Sequence, residues 1–183
     1  MTAYRLLTTW HVDAPIADVY DAIRESARWP QWWPGVEQVL ELAPGDASGV
    51  GTVQRYAFRG VLPYRLRFDL RVTRVVPRAA LEGVASGEVE GFGSWRFSQL
   101  GPVTTVDHEW NVRTTRRWMN LAAPIARPLF EWNHAAVMRR GALGLARMLD
   151  ARRVAADHRP VPPIAFWRSS DEDQPGPRGP GSS

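Results

Sequence analysis

The sequence predicts an α+β domain in which an antiparallel meander of strands is followed by one long C-terminal helix. Three observations carry that prediction. A strand, an amphipathic helix and a tryptophan-rich turn follow one another over residues 10–36. Apolar and polar residues then alternate with the period of a β-strand in several segments up to residue 115. From Trp118 to about Asp150 the period becomes that of a helix.

The first helix begins near Asp13-Ala14-Pro15. Proline lacks the N–H that a first helical turn leaves unused, and Asp13 and Asp18 lie near the positive helix end. Ile16, Val19, Tyr20 and Ile23 recur at i, i+3, i+4 and i+7, which makes one apolar stripe. Pro30 and Pro34 then stop helix propagation twice. Trp29, Trp32 and Trp33 carry too much apolar area to stay in water, and they are expected to close one end of the core.

Short strands are expected over 36–42 and 50–59. Next, Leu62, Tyr64, Leu66, Phe68, Leu70 and Val72 alternate with Pro63, Arg65, Arg67, Asp69, Arg71 and Thr73. That pattern is a half-buried strand whose arginines form a solvated face, not a nucleic-acid track. Residues 79–86 and 89–99 read as further strands, with Trp95 and Phe97 on one face. Over 103–115, Val106, His108, Trp110 and Val112 share a face. Gly91-Phe92-Gly93 lies inside a strand pattern, where glycine marks a bulge, a bend or a close backbone approach. Turn signals at spacings of roughly 10–15 residues suggest an antiparallel meander.

The long helix is expected over about 125–151. Phe130, Val137, Gly141 and Met148 fall nearly on one line, with His134 and Leu145 on one flank and Asn133 and Gly144 on the other. Arg139, Arg140 and Arg147 point away. Two inner glycines cost helix propensity, so a close backbone approach or an open space is expected beside them. Residues 1–152 form the domain. Residues 153–183 are a Pro-, Gly- and Ser-rich tail expected to be mostly disordered, with Val161 to Trp167 as its one apolar patch.

Composition narrows the chemistry. A chain of 183 residues has room for one core. No run approaches the ~18–20 apolar residues of a membrane span. The N-terminal segment lacks the apolar centre of a signal peptide, which favours a cytoplasmic location. Cysteine is absent, so disulfides, a thiol nucleophile and a cysteine–zinc site are excluded. All 23 Lys+Arg residues are arginine, which excludes a lysine Schiff base. The isoelectric point of 10.3 stands on a net charge of only +4. With no Lys or Cys little titrates between neutrality and that point, so nucleic acid is not an expected partner. His11, His108, His134 and His158 lack short metal-ligand spacing, and no metal is expected. Gly-x-Ser-x-Gly, Walker and Rossmann patterns are missing, and no cofactor is expected.

The element order resembles the START-like, or helix-grip, superfamily. The residues that carry the likeness are Val12-Asp13-Ala14-Pro15, Trp32-Trp33-Pro34-Gly35-Val36, Gly91-Phe92-Gly93-Ser94-Trp95 and Trp132-Asn133-His134, with Val137-Met138 and Gly144-Leu145-Ala146. Within that superfamily the chain is similar to the bacterial polyketide cyclase/dehydrase and lipid-transport group, over about residues 3–150. The resemblance implies a curved seven-stranded antiparallel sheet wrapped around the long helix, two short helices after the first strand, and an apolar cavity between sheet and helix. Such a cavity is the default binding site. The expected partner is a hydrophobic small molecule such as a lipid, polyketide or isoprenoid.

Tyr56, Tyr64, Phe68, Trp95, His108 and Trp110 from the sheet are the expected ligand-binding residues, together with Phe130, Asn133, His134 and Val137 from the helix. Imidazoles, an amide and phenols could orient a polyphenol or ketone and move protons in an aldol or dehydration step. Alternatively, Asn133 and His134 are core residues bonded to backbone across the grip. The resemblance to aromatase/cyclases implies an arginine and a tyrosine inside the cavity. Arg65, Arg67 and Arg71 alternate outward, and the sequence leaves the facing of Arg55 and Arg59 open. No residue is therefore assigned a catalytic role. Arg116-Arg117-Trp118 and Trp167 suit weak contact with a membrane surface. The sequence sets no oligomeric state.

Overall fold

Alternating apolar residues build one antiparallel sheet, and the glycine-relieved helix lies against its inner face. The computed structural model describes residues 3–61, 64–115, 123–151 and 154–161. In chain order the elements are β1 (Ala3–Val12), α1 (Ile16–Arg24), a 3₁₀ turn (Ser26–Arg28), α2 (Trp29–Trp32) and β2 (Val36–Ala43). β3 (Val53–Arg59), β4 (Arg65–Val76), β5 (Ala80–Gly87), β6 (Val89–Leu100) and β7 (Val103–Thr114) follow. The chain then forms α3 (Ala123–Met148) and β8 (Val154–Val161). The sheet order is β2-β3-β4-β5-β6-β7-β1-β8, with every neighbouring pair antiparallel.

The sheet has eight strands, one more than the resemblance implies. The eighth comes from residues that composition places in the disordered tail. β8 pairs with β1 from Arg5↔Val161 to Val12↔Val154 and covers what would otherwise be an open edge. Its partner β1 buries Tyr4, Leu6, Thr8, Trp10 and Val12 on one face. A strand this apolar on alternate residues gains from a neighbour on each side, and that tertiary gain outweighs the weak strand signal of residues 154–161.

The start of α1 differs in detail from the sequence reading. Pro15 occupies the cap position itself, and Asp13 makes no side-chain cap. The first free helical amide, on Ile16, donates instead to Oε1 of Gln99 on β6, 3.1 Å away. The cap is thus supplied by tertiary structure.

The tryptophan turn sits on α3. Trp33 Nε1–H donates to the Val137 carbonyl at 2.9 Å, and Trp29 Nε1–H donates to the Ile23 carbonyl at 3.1 Å. A Cβ built on Gly141 would fall on the Trp33 indole, and one built on Gly144 would fall on the Trp32 carbonyl oxygen. Close approach, not open space, is therefore what the two inner glycines provide. Val137, Met138, Ala142, Leu145 and Ala146 complete the buried face of α3, whereas Arg139, Arg140 and Arg147 are exposed. Met148, expected on the inner line, is exposed at the last residue of the helix, where Leu149 packs against the core in its place.

Candidate functional site

β1, β3, β4, β6 and β7 turn their inner side chains toward α3, and between sheet and helix lies a cavity of about 150 Å³. The ten residues singled out from the sequence all face it. Tyr56, Tyr64, Phe68, Trp95, His108 and Trp110 line the sheet side, and Phe130, Asn133, His134 and Val137 line the helix side. Sequence reasoning missed Tyr4 and Leu6 on β1, Phe58 on β3, and Trp29 and Trp33 at the turn, which also line it. The signal for Tyr4 and Leu6 was available: they continue the alternation of Thr8, Trp10 and Val12.

Aromatic faces make up most of the wall. Tyr56 and Phe68 lie parallel within 12°, with centroids 5.4 Å apart, and Phe58 and Phe68 within 9° at 5.9 Å. Trp95 and His108 stack at 3.9 Å. Beyond this wall is a second, more polar cavity of about 230 Å³, which reaches Arg24, Ser26, Glu41, Gln54 and Glu82. Trp29, Tyr56, Trp95, His108 and Trp110 border both spaces and form the partition between them.

The polar groups fall into two sets. Asn133 Oδ1 accepts the Val61 amide proton at 2.7 Å, and the Asn133 side chain shares a hydrogen bond with the Tyr64 phenol. Asn133 thus bridges α3 to the backbone segment before β4. Burial pushes the Tyr64 hydroxyl up to about 12. Burial also pushes Tyr56 up to about 12, and its hydroxyl donates to Gln54 Oε1 at 2.8 Å.

The second set is an array of histidines. The rings of His108 and His134 lie 6.3 Å apart, and those of His134 and His158 lie 5.2 Å apart. His158 arrives on β8, where its Nδ1 lies 3.0 Å from Thr8 Oγ1. His108 Nδ1 lies 2.9 Å from the Ser94 carbonyl. A carbonyl only accepts, so the hydrogen-bond network assigns the proton to Nδ1 and a lone pair to Nε2. Burial holds the imidazolium form of His108 down to about 4. Burial, reinforced by His108 and His158, lowers His134 well below the usual histidine range, and burial lowers His158 as well. All three rings are neutral at pH 7. Three of the four histidines therefore converge despite their wide spacing in sequence, but among the described residues no group of three or more His, Asp or Glu could hold a metal ion.

The arginine implied by the likeness to aromatase/cyclases is not among the described residues that line the cavity. Arg55 faces outward and pairs with both carboxylate oxygens of Asp69, at 2.7 and 2.9 Å, and Arg59 and Arg65 approach Glu37. Arg116, Arg117, Trp118 and Trp167 lie outside the described residues. Among the described residues no helix is long and apolar enough to cross a membrane.

The profile of the polyketide cyclase/dehydrase and lipid-transport family matches residues 12–138. The chain belongs to that family. Comparison with curated protein sequences found no match. Among solved structures, the chain is similar to the di-domain aromatase/cyclase BexL of the BE-7585A biosynthetic pathway, with TM-score 0.65 and 20% identity over 82% of this chain and 51% of that one. It spans about half the length of BexL. A START superfamily protein from Mycobacterium smegmatis matches with TM-score 0.65 and 14% identity, covering 80% of this chain and 97% of that one. The aromatase/cyclase Zhui from a Streptomyces species matches with TM-score 0.58 and 17% identity, covering 80% and 96%. At these identities the structural likeness shows the START-like fold. Family membership supports hydrophobic ligand binding or polyketide cyclisation.

Proposed function

We propose that the protein binds and carries a hydrophobic small molecule, of the lipid, polyketide or isoprenoid class, between sheet and long helix. The observation that carries this reading is a cavity walled by aromatic faces whose few titratable groups are all held neutral. Proton transfer is most effective when the catalytic group titrates near the working pH. His108, pushed to about 4, is a weak base, and Tyr64, pushed to about 12, is a weak acid. Both suit holding a ligand better than turning it over. Size adds a constraint. A cavity of about 150 Å³ is smaller than the ~300–1,000 Å³ of typical ligand pockets. A ligand larger than a single ring needs more room than this cavity holds, and the second space behind the aromatic partition adjoins it.

Native mass spectrometry of freshly purified protein tests the reading. The expected result is a co-purified apolar mass that leaves on denaturation. Repeated preparations that show the bare chain alone, and take up no added apolar probe, would overturn it.

The alternative is a polyketide aromatase/cyclase or dehydratase that uses cavity His, Asn and Tyr. It is favoured by the Tyr64–Asn133 hydrogen bond on the same cavity wall as His134. That reading expects His134→Ala and Asn133→Ala to abolish turnover of a polyketide substrate while affinity changes little.

A further inference from the structure

We infer that His108 makes the cavity selective for a neutral ligand that presents a hydroxyl donor, a phenol or an alcohol, over a ligand of the same shape without one. This rests on the ligand-binding reading above and deepens it.

Several polar groups of the cavity wall are already engaged. Asn133 Oδ1 is held by the Val61 amide, Tyr64 by Asn133, and the Tyr56 hydroxyl by Gln54. His108 differs. Its Nδ1–H is spent on the Ser94 carbonyl, which leaves Nε2 as an acceptor with no hydrogen-bond partner among the described residues. The ring lines the cavity, and it cannot swing freely because Trp95 stacks on it at 3.9 Å. An acceptor fixed in an apolar wall discriminates by what faces it. A hydroxyl donates to Nε2. A ketone, an ether or a carboxylate placed at Nε2 brings only lone pairs, and leaves that nitrogen unsatisfied even where the Tyr4 hydroxyl bonds the ligand. A site built to bond a hydroxyl rejects the analogue that lacks it more strongly than an apolar pocket separates two hydrocarbons.

Phenol and toluene are the probes. They have nearly the same shape and differ by hydroxyl against methyl, and a cavity of this size admits a single ring. Dissociation constants are measured for both on the full chain and on His108→Phe, which keeps a flat ring against Trp95. The expected result is that phenol weakens about three- to tenfold in the variant while toluene stays within about twofold. A second measurement needs no variant. In ¹⁵N-histidine-labelled protein, phenol is expected to move the His108 Nε2 resonance upfield, as hydrogen bonding to a bare imidazole nitrogen does, and toluene is expected to leave it in place. If phenol and toluene both bind but respond equally to the substitution, or phenol leaves Nε2 unmoved, the selectivity is wrong and ligand binding stands. If neither probe binds the wild-type protein, both readings fall together.

Discussion

The indole N–H of Trp33 reaches the backbone carbonyl of Val137 across 2.9 Å, tying the turn after α2 to the middle of the helix that carries Asn133 and His134. The tie has a direct test at Gly141. In an isolated helix, alanine there would gain about 1 kcal/mol over glycine. Here its Cβ would fall on the Trp33 indole. Gly141→Ala is therefore expected to lower stability by about 1–3 kcal/mol, the usual cost of overpacking. Urea denaturation reads the sign. A more stable variant would mean that the turn does not rest on the helix at this point.

Acidification should destabilise the fold well above the carboxylate range. His108 titrates near 4 in the folded chain, whereas an ordinary histidine titrates near 6.5. Above pH 6.5 both states hold the ring neutral, so stability is flat. Between pH 6.5 and 4 the unfolded chain takes up this proton and the folded chain does not, which costs about 3 kcal/mol across the window. His134 and His158 act in the same direction. Urea midpoints taken from pH 7.5 to 4.5 should fall steadily, and His108→Phe should flatten the slope. An unchanged slope in the variant would remove His108 from this role.

Asn133 should behave as a tether. Asn133→Ala frees the Val61 amide, which finds water because Val61 is exposed, and frees the Tyr64 phenol inside the cavity. The expected loss of stability is about 1–2 kcal/mol. Tyr64→Phe should recover part of it by removing the hydroxyl that loses its bond to Asn133. Thermal denaturation of the two single variants and the double variant checks whether their effects couple. Strict additivity would show that the two side chains do not act together.

Removing β8 should cost more than its exposure suggests. A chain ending at Ala151 leaves β1 as an open edge and takes His158 away from His134 and Thr8. Open edges recruit other strands, so the shortened chain is expected to melt earlier and to self-associate. Size-exclusion chromatography at two concentrations and a thermal scan measure both. A monomer with an unchanged melting temperature would show that β8 contributes little.

Local pattern made most of the sheet legible. The alternation around Phe68 and around His108 placed both residues on the inner face, and β4 and β7 have that facing. The stripe on α1 reads the same way, with Val19, Tyr20 and Ile23 buried. What stayed hidden depends on contacts between distant segments. β8 follows from the open edge of β1, the α1 cap from Gln99, and the histidine array from a strand, a helix and a second strand that meet only after folding. No spacing of His108, His134 and His158 along the chain encodes that meeting. The tryptophans at 29 and 33 were legible as core but not as cavity wall, because large apolar area demands burial without saying against what.

The tryptophan cluster also gives the protein an optical property. Trp10, Trp29, Trp33 and Trp95 are linked by ring separations of 4.9–6.2 Å. At such distances an excited indole passes its energy to a neighbour many times before it emits. Trp29, Trp33 and Trp95 border the cavity. A single bound chromophore or quencher would therefore drain the excitation of the whole group, and the unlabelled chain carries its own reporter of occupancy.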